Sequence, residues 1–325
     1  MTIAFHRYLP LLLATVLLSG LAQAQNYPSR PIRLIVPFAP GGSNDAVGRL
    51  MAANLGPRLG QPVVVENRPG AGSQIGLESV VRSPADGYVL LFGATDGLAI
   101  VPAMKKQAPY DPVRDFTPIA VVARVPLVFV VHAKFAAGTM AELVAFARSK
   151  PNAVRYGSGG VGSLLHLGVE QLLAGTKTQM VHVPYKGGGP MMQDVVAGQV
   201  EMVLTAVDFT KRFTESGQLK ALAIADTARH ALLPNVPTTA EAGMPELLVV
   251  SWFGILGPAG LPKPVVDSIG KEVAAALEDA TLRDRLLNVG ATAAYQNASD
   301  YARHIALEYP RWARLVKEAN IPLQD

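Results

Sequence analysis

The 325-residue chain contains no cysteine. Cys-ligated zinc, iron–sulfur clusters, thiol nucleophiles and disulfides are excluded together. Charge is also scarce: 17% of residues are charged, and 29 Lys and Arg against 25 Asp and Glu leave a net charge of only +4. Pairs such as Lys105-Lys106 and Lys211-Arg212 stand alone and form no basic stripe, so no nucleic-acid partner is expected. Long apolar runs are missing beyond the N-terminal region, where none reaches the 18 residues of a membrane span. The six histidines show no metal-ligand spacing, so no metal is expected. There is no P-loop, HExxH or GxSxG pattern. Half of the residues are hydrophobic, which rules out intrinsic disorder.

What is present begins with an export signal. His6 and Arg7 precede an apolar stretch over 9–18, followed by Ala22-Gln23-Ala24. That order of charge, short apolar segment and small-residue site reads as a cleavable signal peptide over 1–24. Cleavage after Ala24 would release a soluble, exported chain. A lipoprotein would need a Cys at the cleavage point. Export argues against NAD or ATP, so no cofactor is expected.

The remaining length suits about two domains. Apolar runs at 32–36, 63–65 and 88–92 read as strands. They alternate with helical periodicity such as Val47, Leu50, Met51 and Leu55. Further strands are expected at 154–156, 180–183, 202–206 and 219–225, while 119–123 and 127–131 are apolar runs around Arg124 and Pro126. Thr139-Met140-Ala141-Glu142 reads as a capping box. Ser163 caps a helix over 164–174, and Pro310 should kink a last helix over 299–319. The pattern is that of an α/β protein with mainly parallel sheets flanked by helices. Two lobes are expected, 25–124 with 250–325, and 125–249, joined where 122–128 and 247–252 cross one hinge.

Two loops echo one another. Phe38-Ala39-Pro40-Gly41-Gly42-Ser43 and Tyr156-Gly157-Ser158-Gly159-Gly160-Val161-Gly162-Ser163 each follow a strand, contain a glycine pair and run into a helix. The first N–H groups of a helix lack intrahelical partners, and the helix dipole makes that end positive. Glycines let an anion approach the backbone closely. Two such ends, one per lobe, would clamp an anion; ordinary βα turns would carry the same pattern. Gly157-x-Gly159-x-x-Gly162 also matches a dinucleotide fingerprint, but the next strand ends in Val183-Pro184 without the required acid.

Several side chains carry two readings. His166 either lines the cleft or is a buried, hydrogen-bonded histidine. Asp45 reads as an acid favoured by the helix dipole rather than a general base. Lys186 either reaches a ligand or is a solvated loop lysine. Tyr185, before a glycine-rich turn, is the better pocket wall. Asp208 reads as a helix N-cap rather than a partner for a ligand amine. An exported serine hydrolase using Ser158 or Ser163 with His166 is an alternative that lacks an orienting acid.

At this point the chain resembles the substrate-binding proteins of tripartite tricarboxylate transporters, the Bug receptors. The resemblance lies in 27–32, 37–45 (Pro-Phe-Ala-Pro-Gly-Gly-Ser-Asn-Asp), 66–72 (Glu-Asn-Arg-Pro-Gly-Ala-Gly), 84–88, 182–187 (His-Val-Pro-Tyr-Lys-Gly) and 236–243. It implies a periplasmic two-lobed binding protein of the type II class, not an enzyme. The ligand would be a small carboxylate held between the lobes, and the partners would be membrane permease subunits. Carried over by position, the ligand contacts would be Ala39, Gly41, Gly42, Ser43, Ser158, Gly159 and Gly160, with Tyr185 as a wall. Ser73 stands where a third glycine is frequent. Residues 94–97 and 205–208, which would line the distal pocket, match no member whose ligand transfers, so the resemblance does not identify the solute. A receptor that presents its closed form to a sensor kinase would carry the same site.

Overall fold

A computed structural model describes residues 27–324; the export signal over 1–24 lies outside the described residues. Strand β1 (Ile32–Val36) is an almost wholly buried apolar run. It pairs in parallel with β2 (Val63–Asn67) on one side and β3 (Val89–Ala94) on the other. Both faces of β1 are covered, as parallel strands require. Ile32, Leu34 and Val36 pack with Val47 and Met51 of α1 (Ser43–Leu59), whereas Ile35 packs with Leu77 of α2 (Gln74–Val81). After β3 the chain makes a π-helical turn at Asp96–Ile100 and a short α3 (Val101–Met104).

The apolar runs at 119–123 and 127–131 are one 17-residue strand, β4 (Phe116–His132). Pro126 does not interrupt it, because β4 changes partners there and little of the ladder is lost. Up to Pro126 it pairs antiparallel with β9 (Val250–Pro258) and, over 121–124, with β10 (Thr292–Gln296). From Leu127 it pairs antiparallel with β7 (Met202–Ala206) and, from Val128, with β8 (Leu219–Ile224). Beyond β7 lie β5 (Arg155–Ser158) and β6 (Val181–Pro184), all three parallel. Strand β9 closes the other side by pairing antiparallel with β3.

One ten-stranded sheet results. Its outer blocks are parallel as expected. Its centre is antiparallel because the chain passes outward along β4 and returns along β9. At the passage Leu127 N–H donates to Val249 O at 3.2 Å, and Arg124 pairs with Asp226 at 2.5 Å.

Beyond the passage, β4 alternates cleanly. Val128 and Val130 face Met191, Met192 and Val195 of α6 (Gly188–Val196). Phe129 and Val131 belong to the cluster holding Leu143 of α4 (Met140–Ser149) and Leu167 of α5 (Leu164–Thr176). Thr139 caps α4 by accepting from Glu142 N–H at 3.2 Å, while Glu142 reaches back to Gly138 N–H at 2.6 Å. Ser163 caps α5. Helix α7 (Val207–Glu215) follows β7 directly, and its N-cap is Ala206. This corrects the expected N-cap role of Asp208, which lies inside the first turn.

After β9 come α8 (Lys263–Glu278), α9 (Ala280–Asn288), β10 and α10 (Ala298–Glu318). Helix α10 continues through Pro310. It packs on β4, on the π-helical turn and on α5. Strand β10 was not legible in the sequence: Thr292-Ala293-Ala294-Tyr295-Gln296 lacks an apolar alternation, and its register is broken by a bulge.

Candidate functional site

Each echoing loop lies at the carboxyl end of a parallel strand, where open α/β sheets place ligands. The first loop, 37–42, joins β1 to α1. Gly41 has φ +92°, which favours glycine, and its N–H donates to Asp45 Oδ2 at 3.0 Å. Asp45 is almost fully buried and also accepts from Arg49 at 3.0 Å and Asn67 at 2.8 Å. Burial pulls its carboxyl upward, but these hydrogen bonds outweigh that and hold it below its ordinary range. Asn67 donates as well to Phe38 O at 3.1 Å. Asp45 is therefore the internal anchor of the loop. Among the described residues, no acceptor meets the N–H groups of Ala39, Gly42, Ser43 or Asn44.

The second loop joins β5 to α5. Ser158 is fully buried. Its Oγ accepts from Gly160 N–H at 3.1 Å and lies 2.6 Å from His182 Nε2. Gly160 has φ +127°. Ser163 Oγ donates to Gly160 O at 2.9 Å and accepts from His166 N–H. Gly162 N–H donates to His166 Nδ1 at 3.1 Å, which leaves the His166 proton on Nε2, 3.6 Å from Glu170. Among the described residues, the N–H groups of Gly159, Val161 and Leu165 have no acceptor.

Below this loop is a polar stack. The His166 and His182 rings are 3.9 Å apart, and Tyr156 stacks on His182 at 4.9 Å. The Tyr156 hydroxyl donates to Glu170. Burial pushes both histidines down to about 4, helped at His166 by the neighbouring ring. The unfolded chain, with ordinary histidines near 6.5, therefore takes up protons before the folded one. The stability that this pair contributes is complete above pH 6.5 and is lost as the pH falls toward 4. Urea midpoints measured from pH 7 to pH 4 are expected to decline less steeply in His182→Gln than in the parent. Parallel slopes would refute a titrating pair.

Both loops wall the same cleft. A cavity of about 330 Å³ is lined by Phe38, Ala39, 70–73, Asp96 and 159–163. A larger one of about 790 Å³ is lined by Phe38, Gly42, Ser43, Asn44, Gly159 and Ser163, and extends to Met191, Met192, Phe209, Arg212 and Phe213. Phe38, Asp96, Gly159 and Ser163 belong to both. Asp96 Oδ1 faces Leu164 N–H at the start of α5 at 3.4 Å, and burial pushes its carboxyl upward.

Of the eight residues singled out from the sequence, Ala39, Gly42, Ser43, Gly159 and Gly160 line these cavities. Gly41, Ser158 and Tyr185 line neither. Gly41 and Ser158 are bonded inside their loops. The Tyr185 hydroxyl donates to Asp194 at 2.7 Å, and burial with that acid pushes it up to about 12. Lys186 is exposed and lines neither cavity. Sequence reasoning missed Asn44 and the α7 face; of the segments 94–97 and 205–208, which it expected to line the distal pocket, Asp96, Thr205 and Ala206 line the cavities. Phe209, Arg212 and Phe213 sit at helical spacing, which marks one face of α7 but not what that face meets. The hydrolase alternative set Ser158 or Ser163 with His166; of His166, Ser163 Oγ meets only the backbone N–H, and β5 and β6 run side by side and bring His182 to Ser158.

The fold and the cleft at the strand ends define the class of two-lobed α/β periplasmic binding proteins. Residues 47–321 match the tripartite tricarboxylate transporter family receptor profile, and the chain belongs to that family. It is 34% identical to Protein BugT of Bordetella pertussis, over 96% of each chain. Among solved structures, the R. palustris protein Rpa4515 with adipate is 35% identical, with a TM-score of 0.81 over 91% of this chain and 99% of that one. MatC from Rhodopseudomonas palustris with bound malate is 30% identical, with a TM-score of 0.76 over 89% of this chain and 100% of that one. The family and its structural neighbours are binding proteins and not enzymes, and the hydrolase alternative falls with that. Among the described residues, no helix is long and apolar enough to cross a membrane.

Proposed function

We propose that the protein is a periplasmic receptor that captures a small organic carboxylate in this cleft and delivers it to a tripartite tricarboxylate-type membrane permease. The observation that carries the reading is the shared cleft, into which two glycine-lined helix starts bring amides without internal acceptors. Gly42, Ser43 and Gly159, with Ala39 and Val161 beside them, are the ligand-facing groups. Gly41, Ser158 and Gly160 hold the loops in shape. The family relatives with adipate and malate support the carboxylate class.

The lobes in this reading are 25–124 with 250–325, and 125–249. The change of partners along β4 at Pro126 and Leu127 supports a hinge there. Export through a cleaved segment over 1–24 completes the reading.

Magnitudes require closure. Charge-assisted hydrogen bonds contribute about 1.5–3 kcal/mol each, so four amount to roughly 6–12 kcal/mol. Association costs roughly 4–15 kcal/mol, and micromolar binding needs about 8 kcal/mol net. The amides set the chemical class, and burial of the ligand's carbon skeleton must supply the rest. A thermal-shift screen of monocarboxylates, dicarboxylates, aromatic acids, amino acids and neutral sugars tests the reading. A true ligand at a hundredfold excess over its Kd stabilises by about 2.7 kcal/mol, a rise of several degrees. If sugars raise the melting temperature and no carboxylate does, the reading is wrong.

A further inference from the structure

We propose that Asp96 is a ligand-contacting acid that holds a proton in the loaded cleft, so that the receptor takes up a proton with each carboxylate it binds. The inference rests on the carboxylate reading above and adds the proton that accompanies the solute.

Asp96 opens the π-helical turn after β3. With Phe38, Gly159 and Ser163 it walls both cavities, so it lies where the two spaces meet. Its Oδ1 faces Leu164 N–H, at the start of α5, at 3.4 Å, a long contact for a carboxylate. Among the described residues its Oδ2 meets no donor on another residue, and unlike Asp208 Oδ1 it is not sealed from solvent. That oxygen opens to the cleft. The amides without acceptors lie close by in the chain: Leu165 N–H follows Leu164, and Gly159 shares both cavities with Asp96. An anion taken by those amides shares one helix start with the Asp96 carboxyl.

Nothing around Asp96 offsets that crowding of negative charge. Burial already pushes its carboxyl upward, and no charged neighbour shifts it in either direction. The titratable groups on the elements packed against it have other partners. On α10, Glu308 accepts from Arg311 and Trp312, His304 meets Gln296, and the Tyr301 hydroxyl lies against Gly254. The Tyr110 hydroxyl donates to Gly97 O. On α5, His166 accepts from Gly162 N–H, and Glu170 accepts from Tyr156. The cations of the lining, Lys105 in the smaller cavity and Arg212 in the larger, do not pair with it. Two carboxylates in one site resist ionising together, so the pair keeps a proton. The proton comes from solvent and forms an O–H bond on Asp96, which then donates to a ligand oxygen; no bond in the ligand breaks. The acid thereby changes from a repelling charge into a donor. Ligand raises the Asp96 pKa further, so affinity falls as the pH rises between the free and the loaded values.

The test is calorimetric titration with the amine-free carboxylate that gives the largest rise in the thermal-shift screen above. It runs from about pH 6 to about pH 8, where a free carboxylate with a pKa near 4 stays ionised. Buffers of different ionisation enthalpy are expected to report uptake approaching one proton per ligand within that range, with Kd rising by up to about tenfold per pH unit. Asp96→Asn is neutral at every pH. It is expected to take up no proton, to show a flat Kd, and to bind at pH 8 about tenfold or more tightly than the parent, since the repulsion is gone. An acid with a merely structural role would not give that gain. The carboxamide oxygen can still accept from Leu164 N–H, so melting temperatures at pH 8 should match. Zero uptake by the parent throughout overturns the assignment, as does unchanged uptake or weaker binding in Asp96→Asn. Tighter binding of amino acids without uptake also overturns it, because Asp96 would then be pairing with their ammonium group. Failure of every carboxylate to bind overturns the carboxylate reading itself.

Discussion

Gly159→Val is expected to weaken carboxylate binding by about 10- to 150-fold while leaving the melting temperature nearly unchanged. The separation of these two effects follows from the site. A Cβ at Gly159 would meet its nearest neighbours, Leu165, Ser163 and Gly187, at 3.8 to 4.0 Å, which is ordinary contact, and no positive φ strains the backbone there. The fold therefore accepts the side chain. Gly159 lines both cavities, so branched methyls reach into the cleft and cover its amide. Blocking one charge-assisted hydrogen bond costs about 1.5–3 kcal/mol, which is the stated range at 1.4 kcal/mol per decade. Gly159→Ala should show a smaller loss in the same direction. Titration calorimetry with the best ligand reads the effect, and an unchanged Kd would count against the amide cradle. Gly160 would be a poorer probe, since its φ of +127° makes any substitution a backbone lesion.

Trp312→Ala is expected to destabilise the fold by about 3–5 kcal/mol. Trp312 is 1% exposed on α10. It belongs to the cluster that includes Trp252, Tyr301, Leu164 and Leu167. Its Nε1 donates to Glu308 at 3.0 Å, and Arg311 covers the ring at 4.7 Å. Truncation loses the buried indole and leaves a cavity. It also strands the Glu308 acceptor. Helix α10 touches β4 and α5, the elements that carry the passage and the second loop. Urea denaturation should show a lower midpoint at an unchanged slope. A loss under 1 kcal/mol would mean that α10 is not anchored through this residue.

The expected strands over 32–36, 63–65, 88–92 and 202–206 were legible because buried strands read as apolar runs between turns. The caps at Thr139 and Ser163 were legible because capping needs particular side chains at fixed offsets. Asp208 misled for the same reason: an acid near a helix start resembles a cap. The backbone instead starts α7 at Val207 and turns that carboxyl into the interior. The apolar runs on either side of Arg124 and Pro126 did not reveal one continuous strand β4, because only pairing shows that these residues mark a change of neighbours. The hydrolase alternative set Ser158 or Ser163 with His166 because nearness in sequence is all that a sequence offers. The register of β5 against β6 sets Tyr156 beside His182 instead.

The chain by itself determined an α/β architecture, the places where glycine-rich turns deliver helix starts, and the absence of thiol and basic chemistry. These follow from local periodicity, turn chemistry and composition. Tertiary structure decided which amides stay open, because Asp45, Ser158 and His166 fill their neighbours' bonding capacity only once the loops are folded. It also decided that α7 turns Phe209, Arg212 and Phe213 toward the cleft. A helix face is written in the sequence, but what it faces is set by the elements packed around it.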